Sequence, residues 1–230
     1  MTSSSINDVV AFAAFGPDLR VKQLEEQVQS MRTAVICGFN QLLDLKDLNT
    51  GVHSTRLAEW AVRVAEGLGI EESVLRNVEA AAILHDIGKI GVPDAILNKP
   101  SRLTEEERKI VQKHPEYGWA IQRLIPGLEQ TSLFTLHHHE NFDGTGYPGR
   151  LKGCDTPIGS RIVAVIDAFD AMVSNRPYRK GLPVEEGIRR LIADSGTQFD
   201  PEVVRCFIAI AEPEVADVFA ATGTSMSVVL

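Results

Sequence analysis

Six histidines and a few acids carry the chemistry open to this chain of 230 residues. His85-Asp86 closes the apolar run Ala80-Ala81-Ala82-Ile83-Leu84. Asp167 follows Ile162-Val163-Ala164-Val165-Ile166 and precedes Ala168-Phe169. A carboxylate buried among aliphatic side chains is costly unless it is paired or bound to a cation, and two of them beside neutral imidazoles are what a metal site makes tolerable. Imidazole and carboxylate donors suit Fe, Mn, Zn and similar ions, and no cysteine lies close enough in sequence to suggest a thiolate site. The candidate ligands are His53, His85, Asp86, His114, His138, His139 and Asp167. One ion takes about four to six ligands, so this set exceeds what a single ion with an open position needs. A pair of metals sharing a carboxylate uses the set economically, and two ions about 3.5–4 Å apart are a common arrangement for hydrolysing phosphate esters.

The elements that must position these residues read as helices. Apolar residues at Val21, Leu24, Val28, Met31, Val35 and Leu42 alternate steps of three and four, with Gly38 in the remaining core position, and so form a heptad stripe. Such a stripe either lies on the core of its own domain or serves as a dimerisation or signal-input helix. Helical patterns continue over 50–68, 73–85, 104–113, 115–124, 127–139, 158–174, 183–194 and 201–211, and Thr104 with Glu107 makes a capping box. A Gly-Lys-Ile-Gly-Val-Pro break follows His85, and a Gly- and Pro-rich loop runs from Asn141 to Pro157. No alternating run supports a sheet, so the expected fold is all-α: a single helical domain over 45–214 preceded by a long helix over 18–44. Residues 1–17 and 215–230 read as a flexible N-terminus and a C-terminal tail.

Composition narrows the function classes. The chain has 23 Lys+Arg against 31 Asp+Glu, a net charge of −8, with 44% hydrophobic residues. That balance argues against a general nucleic-acid or membrane-surface binder, which needs excess cations to meet phosphates. Three widely spaced cysteines, Cys37, Cys154 and Cys206, make no disulfide framework. With no signal peptide and no apolar stretch near the ~18 residues of a membrane span, the expected location is the cytoplasm.

The segments LHDIGKIGVPDAIL from Leu84, His114-Pro115, HHENFDGTGYP from His138 and RIVAVIDAFDAMVSNRPYR from Arg161 resemble the HD-GYP family. Its members are bacterial phosphodiesterases of cyclic di-GMP, a subclass of the HD metal-dependent phosphohydrolases. The similarity runs from about Asp44 to Phe207. A bare His-Asp dipeptide is a weak signal, whereas HDIGK, HHE and DGTGYP in the family's order form a strong one. The resemblance implies that the seven residues above are the metal ligands and that Asp86 bridges the ions. Lys89 matches the family lysine near the scissile phosphate. Gly146, Tyr147 and Pro148 fall on the loop beside the site, with Tyr147 in a substrate-binding position. Asp170, Arg176 and Arg179 match positions that contact phosphate or guanine. Some members hold a third metal with a glutamate four residues before the first histidine; Asn49 stands there, so two ions are expected, Fe or Mn ahead of other transition metals. His137 is not a family ligand. Glu140 either orients a ligand histidine or solvates a helix end.

The implied reaction is hydrolysis of cyclic di-GMP to linear pGpG, and after a second cut to GMP, by a hydroxide bridging two metals. Protons should compete for the imidazoles below about pH 6. Alternatives from other classes are a catalytically weak module that binds cyclic di-GMP or docks a signalling partner such as a diguanylate cyclase, and a phosphohydrolase of another nucleotide. If the N-terminal stripe is a dimerisation helix rather than a core-facing one, the assembly it implies is a homodimer.

Overall fold

A computed structural model describes residues 17–46, 53–175 and 180–222. Asn49, Arg176 and Arg179 therefore lie outside the described residues, as do most of the expected flexible N-terminus and part of the expected C-terminal tail. The described residues form ten α-helices and two short 3-10 turns, with no strand among them, as the helical periodicity predicts. They divide into two units, one ending at Gly38 and the other beginning at Phe39. The boundary falls inside helix α1 (Pro17–Lys46).

In the larger unit the core is built where α2 (His53–Gly67), α3 (Glu72–Leu84), α8 (Ile158–Val173) and α10 (Pro201–Thr222) meet. Leu57, Ala61 and Val64 of α2 face Val78 and Ala82 of α3, Ile162 and Ile166 of α8 and Phe207 of α10, all buried. Each large apolar side chain removed from water contributes about 1.5–3 kcal/mol before chain entropy is set against it. Phe207 takes Phe169 and Trp60 edge-on, with ring centroids 4.8 and 5.4 Å away. Trp60 is thus half-buried at the core margin, and Trp119 is half-buried with Arg123 over its ring. Helix α8 buries residues on most sides, among them Ser160, Ile162, Val163, Val165, Ile166 and Asp170. An element surrounded by other helices holds its side chains in fixed rotamers, which suits a helix that carries a ligand.

Local signals account for several boundaries. Thr104 Oγ1 accepts the Glu107 amide at 3.2 Å and Glu107 Oε2 accepts the Thr104 amide at 2.8 Å, completing the capping box ahead of α5 (Glu105–Val111). Asp200 Oδ1 accepts the Glu202 amide at 2.8 Å at the start of α10, where Pro201 is already fixed in helical φ. Three short elements are additions to the sequence reading, one of them a 3-10 turn (Gly153–Asp155) within the expected Asn141 to Pro157 loop. The break after His85 holds a 3-10 turn (Ile87–Gly91) and the single-turn α4 (Asp94–Leu97), pieces too short for periodicity to register. Helix α10 runs on past Pro213 to Thr222, well beyond Ala211, because a proline inside a helix forfeits one backbone hydrogen bond without ending the helix. The remaining helices are α6 (His114–Gln122), α7 (Glu129–Leu136) and α9 (Val184–Ala193).

Candidate metal and phosphate site

Three histidines reach the site by the same local device. Each uses Nδ1 to hydrogen-bond the backbone carbonyl three residues earlier: His85 to Ala82 at 2.9 Å, His114 to Val111 at 2.8 Å and His138 to Thr135 at 2.6 Å. These carbonyls lie in the last turns of α3, α5 and α7, where a carbonyl has lost its helical partner. A neutral imidazole that donates from Nδ1 presents a lone pair at Nε2. The three Nε2 atoms are thereby preset as acceptors before any ion arrives. His114 Nε2 and His138 Nε2 are 3.3 Å apart. The ligand atoms of His114, His138 and His139 all lie within 4.8 Å of one another.

Carboxylates close the cluster. Asp86 is buried, with Oδ1 3.3 Å from His114 Nε2 and Oδ2 3.3 Å from His85 Nε2. It therefore faces two histidines from different helices with different oxygens. Asp167 Oδ1 lies 3.8 Å from the same His85 nitrogen, so α8 delivers its acid to the His85–Asp86 pair. Lys89 Nζ is 2.7 Å from Asp86 Oδ2. Burial works to raise the Asp86 pKa, but the charges of Lys89, His85 and His114 outweigh it and hold the group well below the usual carboxylate range. For the imidazoles burial acts in the opposite sense. It is the largest influence on three of the rings: it lowers the pKa of His114 and His138 against the opposing charge of Asp86, and takes His139 down to about 4. At neutral pH Asp86 is ionised and His114, His138 and His139 are neutral, the protonation states that bind metal.

The approach of the elements depends on two glycines. A Cβ on Gly88 would stand 1.8 Å from the His114 carbonyl oxygen and 2.5 Å from the Gly118 amide nitrogen. Backbone meets backbone there, which is how the turn after Asp86 brings the start of α6 within ligand distance. A Cβ on Gly146 would stand 2.2 Å from the Asn141 nitrogen and 2.5 Å from the His139 carbonyl oxygen. That contact folds the Gly146-Tyr147-Pro148 loop onto the His138-His139 segment. The Tyr147 amide donates to His139 O at 3.2 Å, and its ring stacks on the His139 ring with centroids 4.9 Å apart. Burial, with the charges of Asp86 and Asp167, raises the Tyr147 pKa, so the phenol stays protonated.

Glu140 is resolved by its contacts. Its buried carboxylate accepts the Gly149 amide at 2.6 Å and the Leu151 amide at 3.2 Å, and lies 3.3 Å from His137 Nδ1. It therefore pins the loop to the segment that carries His138 and His139, and His137 contacts it rather than standing in solvent.

Of the sequence candidates, His85, Asp86, His114, His138, His139 and Asp167 converge, with Lys89 and Tyr147 at their edge. His53 is the first residue of α2, which packs along α8. Asp170, one turn after Asp167, is buried; its carboxylate accepts Arg56 Nε at 2.6 Å, forms an ion pair with Arg56 Nη2, and accepts Ser174 Oγ at 3.1 Å. Arg56 is absent from the sequence reading. It lies three residues after His53 as Asp170 lies three after Asp167, so the pair joins α2 to α8 one turn beyond each candidate ligand. That common offset was the available signal. The donor set, imidazole and carboxylate without thiolate, fits a divalent transition ion, and the Nδ1 tethers aim the imidazoles for one.

Comparison with known proteins agrees. Residues 39–203 match the HD domain family. A cyclic di-GMP phosphodiesterase of Thermotoga maritima is 43% identical over 182 residues, covering 78% of this chain and 49% of that protein. The cyclic di-GMP phosphodiesterase response regulator RpfG of Xanthomonas campestris is 37% identical over 183 residues, covering 77% and 48%. The chain thus spans about half the length of these relatives. Among solved structures, a cyclic GMP-AMP-specific phosphodiesterase of Vibrio cholerae superposes with a TM-score of 0.62 at 20% identity, covering 80% of this chain and 49% of that one, which speaks to the fold. The converging histidines and acids therefore sit in a scaffold shared with these proteins: the chain belongs to the HD domain family and carries, within it, the HD-GYP signature.

Proposed function

We propose that this chain is a metal-dependent phosphodiesterase that hydrolyses cyclic di-GMP to linear pGpG and, by a second cut, GMP. The observation that carries the reading is the Asp86 carboxylate, which faces His85 and His114 with separate oxygens while Lys89 stands beside it. Residues 45–214 are the catalytic domain. His53, His85, Asp86, His114, His138, His139 and Asp167 would hold two divalent ions, Fe or Mn; Asn49 is too weak a donor to support a third. Ions in such a site supply the Lewis acidity that ionises water near neutral pH and withdraws charge from phosphoryl oxygens.

The protein's own groups do the rest. Burial keeps the imidazoles of His114, His138 and His139 neutral, and the carbonyl tethers aim those of His85, His114 and His138. Lys89 turns its ammonium from Asp86 to a non-bridging oxygen, where its charge matters most as negative charge builds. The Tyr147 phenol, stacked on His139, offers a hydrogen-bond donor at the mouth of the site. Arg176 and Arg179 hold the second phosphate or a guanine edge, since a guanidinium matches both. Asp170 orients that end of α8 through Arg56. Gly146 and Pro148 shape the loop that lies against the ligand.

A cytoplasmic location suits three free cysteines, which persist in a reducing compartment, and no described helix is long and apolar enough to cross a membrane. A homodimer through α1, and a signalling partner docking at the loop, complete the reading.

The test is to load the purified protein with Fe or Mn, count metal per chain, and follow cyclic di-GMP loss beside 3′3′-cGAMP and pGpG. Selective loss of cyclic di-GMP, abolished in His85→Ala, is expected. Metal-loaded protein that behaves like His85→Ala ends the enzyme reading. Tight calorimetric binding without turnover would replace it with a binding module, and preference for another nucleotide would change the substrate.

A further inference from the structure

We infer that residues 21–38 of α1 form a parallel, in-register, two-stranded coiled coil with a second copy of this chain. The inference deepens the homodimer reading above and rests on it, but not on the hydrolytic activity.

The heptad positions are unambiguous. Val21, Val28 and Val35 occupy a, and Leu24, Met31 and Gly38 occupy d. In the structure the five apolar side chains among them are between 36 and 68% exposed. A soluble helix normally buries such a stripe, and a line of exposed aliphatics at 3.5-residue spacing supercoils against a helix with the same spacing. Branching at Cβ selects the number and direction of strands. Valine at three successive a positions, with Leu and Met, which are not branched at Cβ, at d, is the pattern that favours two parallel helices over larger bundles.

The flanking charges fit a copy of the same helix. In a parallel pair the g residue of one heptad meets the e residue of the next heptad across the seam. Arg20 at g then meets Glu25 at e of the second copy, and the pair occurs twice by symmetry. The next such pair is Gln27 with Arg32, which carries no repulsion. No like-charged pair arises along the stripe. Gly38 weakens the last d layer, because it brings no side chain to the seam. A coil of about three heptads with one empty layer gives a reversible dimer rather than a permanent one, since short helices gain little from each added turn.

The experiment is sedimentation equilibrium on the full chain across the micromolar range, with disulfide trapping. The wild type is expected to move from monomer to dimer with concentration. The double variant Val28→Glu with Met31→Glu should be monomeric with unchanged helix content, and Gly38→Leu should tighten the dimer by about tenfold by filling the d layer and removing a helix-interior glycine. In a Cys37→Ser, Cys154→Ser background, Val28→Cys should cross-link to itself on mild oxidation, because a meets a only in a parallel, in-register pair. A wild-type monomer at every concentration overturns both this inference and the homodimer reading. A dimer that survives the double variant overturns the α1 interface alone. Cross-linking of Val28→Cys to Met31→Cys chains, but not to itself, overturns the parallel arrangement. None of these readouts depends on turnover, so the phosphodiesterase reading stands or falls separately.

Discussion

Lys89 Nζ lies 2.7 Å from Asp86 Oδ2, three residues back along the same turn. The ammonium keeps a buried carboxylate ionised and is itself kept in the site by it. Exchange of that partner for a phosphoryl oxygen costs little, since one anion replaces another, whereas loss of the cation leaves charge unbalanced as the transition state develops. Lys89→Met should therefore lower kcat by about 10²–10³-fold while leaving metal content near wild type. Single-turnover kinetics with metal analysis checks this. A variant with full kcat would remove Lys89 from the reaction, and one that has simply lost its metal would make the lysine a support for Asp86 alone.

Gly88→Ala tests how the ligands are brought together. The added methyl would meet the His114 carbonyl oxygen at 1.8 Å, and that oxygen cannot swing aside as a side chain would. Overpacking of this kind costs about 1–3 kcal/mol, a fall of about 3–10 °C in Tm for a chain of this size. The start of α6 must shift outward, so metal content should fall as well. Gly38→Ala is the control: its methyl meets nothing within 4 Å, and its melting curve should not drop. Equal behaviour of the two variants would mean that the close approach at Gly88 is not what positions His114.

The helices and most of the cluster were legible in sequence for a simple reason. Polar residues at the ends of apolar runs, such as Asp86 after Leu84 and Asp167 after Ile166, conflict with burial unless something pairs them, and the conflict is visible without coordinates. The resemblance then supplied roles. What remained hidden is what depends on three-dimensional neighbours. Arg56 looks like any exposed arginine on an amphipathic helix until α8 brings Asp170 to it. Glu140 had two equal readings because its partners, the Gly149 and Leu151 amides, lie in a loop whose path no periodicity predicts. The Nδ1 tethers were equally invisible, since a backbone carbonyl leaves no trace in residue type.

Glu140→Ala should separate substrate binding from metal binding. Removing the carboxylate strands the Gly149 and Leu151 amides and loosens the loop that follows Gly146-Tyr147-Pro148. Leaving buried donors unmet costs about 1–3 kcal/mol. The expected result is a rise in KM of about tenfold with metal content retained, and partial rescue by Glu140→Gln, whose amide oxygen can still accept one bond. Loss of metal in Glu140→Ala with KM unchanged would instead make Glu140 a support for the ligand histidines.

The depressed imidazole pKa values fix the sign of the pH response. His139 titrates at about 4 in the metal-free fold because burial, and then the neighbouring His114, disfavour its cation, and burial moves His114 and His138 in the same direction. Unfolded histidines titrate near ~6.5, so between those values the unfolded chain binds more protons than the native one, and stability rises with pH. The contribution is complete above about pH 6.5 and is lost as pH falls toward 4. Asp86, depressed below its ordinary range, adds a further loss below about pH 4. Urea denaturation of chelator-treated protein should show a plateau above pH 6.5 and a decline below it, with His139 alone accounting for up to about 3 kcal/mol. His139→Gln should flatten part of that decline. The same burial moves proton competition for metal below the pH of about 6 expected for ordinary histidines, because His139 stays neutral well under that value. If the stability of metal-free wild type and His139→Gln falls in parallel from pH 6.5 to 4.5, the imidazole is not titrating as a buried group.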